Sequence, residues 1–379
     1  MNTRLLSIVL VILFSFSNNI MANSLTDENE VKGIKFDHSD WSTILKKAAD
    51  VQKLVFIDCY TTWCGPCKMM AKNTFTQQEV GEFFNKNFIN VKLDMEKEPG
   101  KSLKTILGVN AYPTLVVINA KQEIIHKTVG ALQKEELLEF ATEALKGTGT
   151  LSSYHAKYKK EGVANKKFVL EYLQKLEAAN EKELLTSVIN RYFEQLEKKD
   201  LLKKENWNLL KKYVESIHNK AFQLVLNNQS DFIEVFGQKE VEDKVYFTFL
   251  REGNQLCDKK ENGDFVLNQE KKKRFLNQLK MNEVKNKDVI KAYSEISTTR
   301  NLKDWKAYID IITEYLKKDI IDKGAMSLYN YALPIERAVQ DKELRAKVAE
   351  WCDMGMKIEG INPGFVNAFQ QLKGKLVEK

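Results

Sequence analysis

Two periods of apolar and polar residues succeed one another along this chain. In the first part, short and dense apolar runs alternate with helical stretches. Residues 53 to 60, Lys53-Leu54-Val55-Phe56-Ile57-Asp58-Cys59-Tyr60, are rich in β-branched and aromatic side chains, which predicts a buried strand feeding a turn and then a helix. Val91-Lys92-Leu93-Asp94 and Leu115-Val116-Val117-Ile118 read as further strands, and an amphipathic segment runs to Leu145. Lys146-Gly147-Thr148-Gly149-Thr150 then ends a helix with two glycines and small polar residues, which places a domain boundary between 148 and 149. Beyond it the period changes. Apolar residues recur on one side of helices at Trp207, Leu210, Val214 and Ile217, at Phe222, Val225 and Leu226, and at Trp305, Tyr308, Ile309, Ile312 and Leu316. Turns are marked by Asn227-Asn228, Glu261-Asn262-Gly263-Asp264 and Ile361-Asn362-Pro363-Gly364, so residues 149–379 are predicted to be all-α.

The chemistry is concentrated where the first strand ends, at Trp63-Cys64-Gly65-Pro66-Cys67-Lys68. A two-residue gap lets two sulfurs close a small ring when oxidised, and the strand-turn-helix setting puts Cys64 at a helix start, where backbone N–H groups and the positive dipole end favour a thiolate. Cys64 is therefore the candidate nucleophile, and Cys67, one turn further in, the candidate resolving thiol. Asp58 sits among apolar neighbours, and burial raises a carboxyl pKa into the range that suits a proton acceptor for Cys67. Cys59 points to the opposite face of the strand and reads as a buried, inert thiol. Cys-x-x-Cys is also half of a zinc site. This chain has no second such pair and only four scattered histidines, His38, His126, His155 and His218, so no metal site is expected.

Five landmarks in order make this part of the chain, roughly residues 30 to 146, resemble the thioredoxin superfamily. Besides the hexapeptide they are Asp58, Lys92 after the second strand, Tyr112-Pro113-Thr114 before the third, and Val129-Gly130-Ala131 before the last helix. The resemblance implies an α/β thioredoxin fold, a mixed sheet flanked by helices, with a cis peptide bond at Pro113. It also implies that Lys92 supports Asp58 and that Trp63, Gly65, Pro66, Tyr112 and Pro113 border the substrate. No cofactor is implied beyond the redox-active Cys64–Cys67 disulfide. Thr74-Phe75-Thr76-Gln77-Gln78-Glu79-Val80, which interrupts the first long helix, departs from plain thioredoxin. It looks more like the thioredoxin-like domains of bacterial cell-envelope reductases, including the C-terminal domain of the transmembrane electron carrier DsbD. In the second part, the segment from Tyr329 through Leu372 faintly resembles a degenerate tetratricopeptide-type helix pair, although no fixed repeat period covers the region.

Targeting and charge narrow the partners. Arg4 precedes an apolar run from Leu5 to Phe16, then Ser17-Asn18-Asn19 and Ile20-Met21-Ala22, a layout that fits a secretory signal cleaved after Ala22. The run is too short for a comfortable transmembrane helix, and an uncleaved anchor is the alternative. The mature protein is thus expected to be exported, periplasmic and not stably inserted in a membrane. The net charge of +7 lies in the second part, since residues 23–150 carry 16 basic against 17 acidic residues. Lys271-Lys272-Lys273-Arg274 reads as a solvated helix face, and nucleic-acid binding is not expected of an exported protein. Cys257 and Cys352 are left open as free thiols or a pair, because their separation says nothing about proximity.

Three function classes follow. Gly65-Pro66 is the dipeptide of thioredoxins, whose potential near −270 mV makes them reductants, so a reductase of protein disulfides is favoured. In an oxidising compartment it requires a membrane electron donor, of DsbD type by the resemblance. The alternatives are a disulfide isomerase or chaperone, and an interaction protein that uses the thioredoxin fold as a scaffold.

Overall fold

The computed structural model describes residues 33–377, so the expected signal segment 1–22 lies outside the described residues. Two compact units divide between His155 and Ala156. In the first unit, β1 (Leu54–Tyr60), β2 (Phe88–Asp94), β3 (Thr114–Ile118) and β4 (Ile124–Val129) form one mixed sheet in the order β2-β1-β3-β4. β1 runs parallel to β2 and antiparallel to β3, and its register sets Asp58 opposite Lys92 on one side and Leu115 on the other.

Strand alternation sorts the core into two layers. Val55, Ile57 and Cys59 face α1 (Trp41–Asp50) and α4 (Gly100–Ile106), packing with Ile44, Ala48 and Leu103. Phe56 faces the other way, into a cluster built from Met70, Phe75, α3 (Gln78–Asn87) and α5 (Lys134–Lys146). Asp58 shares the parity of Phe56 and therefore lies on the same face as α2 (Gly65–Met69), the helix that carries the cysteines. α2 runs on into a π-helical turn, Met70–Thr74, and the chain breaks at residues 75–77 before α3, where the sequence places the interruption. A strap from Gly33 to Asp37 joins the break after the π-helical turn to the outer edge of β2, where Asp37 pairs with Val91. Its Ile34 N–H donates to Phe75 O (2.7 Å) and Asp37 N–H to Asn90 O (2.7 Å). A Cβ at Gly81 would lie 2.3 Å from Gly33 O, so α3 can approach the strap only with glycine there.

α5 ends at Gly147, which adopts the left-handed conformation (φ 66°) that the sequence assigns to the helix stop. The first unit continues slightly beyond the expected 148/149 boundary because Thr150 and Leu151 are buried and the Leu151 N–H donates to His126 Nδ1 on β4 (3.3 Å).

The second unit is helix-rich. Trp207, Leu210, Val214 and Ile217 are all buried, yet their helix stops at Tyr213, so the apolar stripe outlasts the helix. Tyr308, Ile309, Ile312 and Leu316 form a core with Leu328, Ile335, Trp351 and Phe369, against which Trp305 and Tyr315 also pack. Residues 329–372 belong to three helices, Ala325–Ala338, Lys342–Met356 and Pro363–Val377. Arg345 ties them together. Its buried guanidinium donates to Val339 O (2.8 Å), Leu376 O (2.9 Å) and Lys375 O, carbonyls at the ends of the first and third of these helices.

One short feature adds to the helical architecture of this region. Cys257–Lys259 and Phe265–Leu267 pair as an antiparallel hairpin around the turn at Glu261-Asn262-Gly263-Asp264. Gly263 supplies a positive φ there, and the two flanks are too short to show a period of two. Cys257 and Cys352 are free thiols, the latter fully buried with its pKa pushed up to about 11 by desolvation.

Candidate functional site

Every sequence-selected residue of the first part meets at the carboxyl end of β1. Cys64 is the N-cap of α2, in extended conformation, and its Sγ accepts from the Cys67 N–H at 3.1 Å. Pro66 lies in the first turn, where its missing N–H leaves nothing unsatisfied. Cys64 and Cys67 are joined by a disulfide with Cα atoms 5.3 Å apart. Both are almost fully buried in this oxidised form, at 4% and 3% exposure, so position on the helix, and not exposure, distinguishes them. A Cβ added to Gly65 would meet nothing within 4 Å, which leaves the approach over the turn open.

Beneath the helix, Asp58 is 1% exposed. Burial pushes its carboxyl up to about 6, while the Lys92 ammonium, 3.3 Å from Oδ2, pulls in the opposite direction. Burial is the largest influence and outweighs both the charge and the hydrogen-bonding pull of Lys92. The neighbouring Thr61 hydroxyl is buried without a hydrogen-bond partner, while the Thr61 carbonyl accepts from Cys64 N–H (3.2 Å). Cys59 is fully buried and its thiol is pushed well up by desolvation, which makes it inert.

On the outer side, Tyr112-Pro113 is a cis peptide. The Tyr112 ring meets Trp63 edge-on at 5.8 Å, and Trp63 is 64% exposed. Two contacts here were not legible in the sequence. Trp63 Nε1 donates to Glu96 Oε1 (2.9 Å), and the Lys104 ammonium lies 5.4 Å from the centre of the Tyr112 ring. Both partners sit in a charged stretch in which composition gives no reason to prefer one residue over its neighbours. Glu98-Pro99 is a second cis peptide, which the reading of Pro113 did not extend to.

The sequence profile of the thioredoxin family matches residues 32–143. Thioredoxin H-type 2 of Nicotiana tabacum is 30% identical over 126 residues, a third of this chain and 99% of that protein. The chain belongs to the thioredoxin family. Thioredoxin H4 of Arabidopsis thaliana is 36% identical over 97 residues, 26% of this chain and 76% of its own length. Among solved structures, a Bacteroides thetaiotaomicron protein provisionally named a disulphide-isomerase is 42% identical, with 31% of this chain and 96% of that one covered (TM-score 0.29). The oxidised DsbD C-terminal domain of Neisseria meningitidis is 20% identical, with 29% and 98% covered (TM-score 0.26). This thioredoxin-family chain is thus a thiol-disulfide oxidoreductase whose Cys-x-x-Cys pair is a disulfide in the structure. No helix among the described residues is long and apolar enough to cross a membrane.

Proposed function

We propose that this protein is exported and reduces disulfides in other exported proteins, with residues 149–379 recognising the substrate or partner. The observation that carries the reading is the juxtaposition of a Cys64–Cys67 pair at a helix N-terminus with a buried Asp58 whose carboxyl is pushed up to about 6. In the reduced protein the Cys64 thiolate attacks one sulfur of a substrate disulfide. A mixed disulfide forms and the first substrate thiolate leaves. The Cys67 thiol then gives its proton to Asp58, and its thiolate attacks the Cys64 sulfur, releasing the second substrate thiolate and closing the Cys64–Cys67 bond. Two electrons have passed to substrate. A membrane carrier of DsbD type returns them, which the Arg4-to-Ala22 pattern requires if it acts as an export signal.

Trp63, Gly65, Pro66, Tyr112 and Pro113 form the rim that meets substrate. The Pro113 carbonyl already accepts from Gly130 N–H (2.9 Å), so an incoming extended chain pairs with the Tyr112 backbone beside it. Such backbone pairing is unselective, which is the reason to assign selection to the helical unit.

Cutting the chain after His155, where the first compact unit ends, tests this division. The fragment keeps residues 32–143, which the family profile matches, together with the buried Thr150 and Leu151, and is expected to fold alone. With dithiothreitol as donor it should reduce insulin at about the rate of the full protein and lose its preference among exported disulfide proteins. A folded fragment without insulin activity would mean that the helical unit completes the active site.

A further inference from the structure

Lys92 does more in this structure than face Asp58. Its ammonium lies 4.7 Å from the centre of the Tyr60 ring, 5.8 Å from that of Phe75 and 5.9 Å from that of Phe36. These rings come from three separate places: the end of β1, the break after the π-helical turn, and the Gly33–Asp37 strap. Phe36 and Phe75 also meet edge-on at 5.6 Å, so the strap and the break support one another around the ammonium. We propose that Phe36, Tyr60 and Phe75 form an aromatic cage that holds the Lys92 ammonium beside Asp58 in both protonation states of that carboxylate. The three rings are then positioning residues for the proton transfer from Cys67. This rests on the reading of Asp58 as the proton acceptor.

The physical need for a cage comes from the cycle itself. While Asp58 is ionised, the ion pair at 3.3 Å holds the ammonium in place. Once Asp58 takes the Cys67 proton, the ammonium loses its counter-ion. The Lys92 side chain is 23% exposed, and on a flexible four-carbon stem it would then move towards water. Ring faces attract the cation whatever the state of the carboxyl, most strongly where the site is partly desolvated, so the ammonium stays until the proton leaves again. The other titratable groups around the pair are few. On β1 they are the Cys59 thiol, which feels the Asp58 charge, and the Tyr60 phenol, which faces Asp94 and Lys97 as well as Asp58. β3 presents Leu115 opposite Asp58, and α2 carries the cysteine pair. Lys92 is therefore the cation that holds the pKa of Asp58 below where burial alone would put it, and displacing it raises that pKa.

The test is the titration of Asp58 in the oxidised full-length protein, followed by the ¹³C shift of its labelled carboxyl and assigned by its loss in Asp58→Asn. Tyr60→Leu should raise the midpoint by about 0.5 to 1 pH unit. Tyr60→Phe, which keeps the ring, should leave it unchanged. In a Lys92→Met background, Tyr60→Leu should add nothing, because the cation it acts through is absent. Phe36→Leu, on the strap, gives the same readout should Tyr60→Leu fold poorly. An unchanged midpoint in the leucine variants, or an equal rise with and without Lys92, would overturn the cage. Because the titration needs no turnover, a protein with the expected midpoints but no insulin activity would instead sink the reductase reading.

Discussion

Cys64→Ser is expected to abolish insulin reduction, and Cys67→Ala to convert the protein into a trap that accumulates covalent adducts with its substrates. The asymmetry follows from position. Cys64 caps α2, where its sulfur already accepts the Cys67 N–H and a thiolate would be stabilised by the open helix end. Cys67 lies one turn in, and in the proposed cycle it gives its proton to Asp58 only after Cys64 has formed the mixed disulfide. Losing the first sulfur prevents attack, so the rate should fall to the background of dithiothreitol alone. Losing the second leaves attack intact and stops release. Non-reducing gels of the two variants after incubation with insulin separate the cases. Adducts in Cys64→Ser and none in Cys67→Ala would reverse the assignment.

Asp58→Asn should show a pH-dependent gain in stability together with slower turnover near neutral pH. The Asp58 carboxyl is raised to about 6 from its ordinary 3.8. A carboxyl with a raised folded pKa stabilises the fold fully below its unfolded value, and that stability is lost as pH rises through the folded value. The parent protein therefore loses about 3 kcal/mol between roughly pH 4 and pH 7 through this one group. Asparagine does not titrate. Whatever constant offset its amide introduces, the difference between variant and parent should move in the variant's favour by that amount across the window. Denaturant unfolding of the oxidised fragment ending at His155 measures it without interference from the helical unit. A difference that is flat with pH would mean that Asp58 titrates near its ordinary value and is not a poised proton acceptor.

How much of this was readable in advance varied with the distance over which each signal acts. Cys64, Cys67, Asp58 and Pro113 lie in short stretches whose order and spacing carry their meaning, and the structure brings all of them to the end of β1. The Asp58–Lys92 register depends on β1 and β2 running parallel, whereas the family resemblance implied only that Lys92 supports Asp58. The contacts of Lys92 with Phe36, Tyr60 and Phe75, and of Trp63 with Glu96, join residues that no periodicity links. Arg345 gave no sign of burial, since an arginine in an amphipathic stripe reads as solvent-facing. Only the convergence of two helix ends on it explains its place. The hairpin at Cys257–Lys259 and Phe265–Leu267 was hidden by strands of three residues, below the length at which alternation is detectable.

The central claim is that the Cys64–Cys67 pair is a reductant, and its reduction potential decides that most directly. Equilibrating the full-length protein against dithiothreitol and glutathione buffers and counting free Cys64 and Cys67 thiols gives the value. The Gly65-Pro66 turn and the helix-end site predict a potential near the thioredoxin value of about −270 mV. A potential near about −120 mV, where the reduced form is the strongly stabilised one, would make the protein a donor of disulfides and contradict the account.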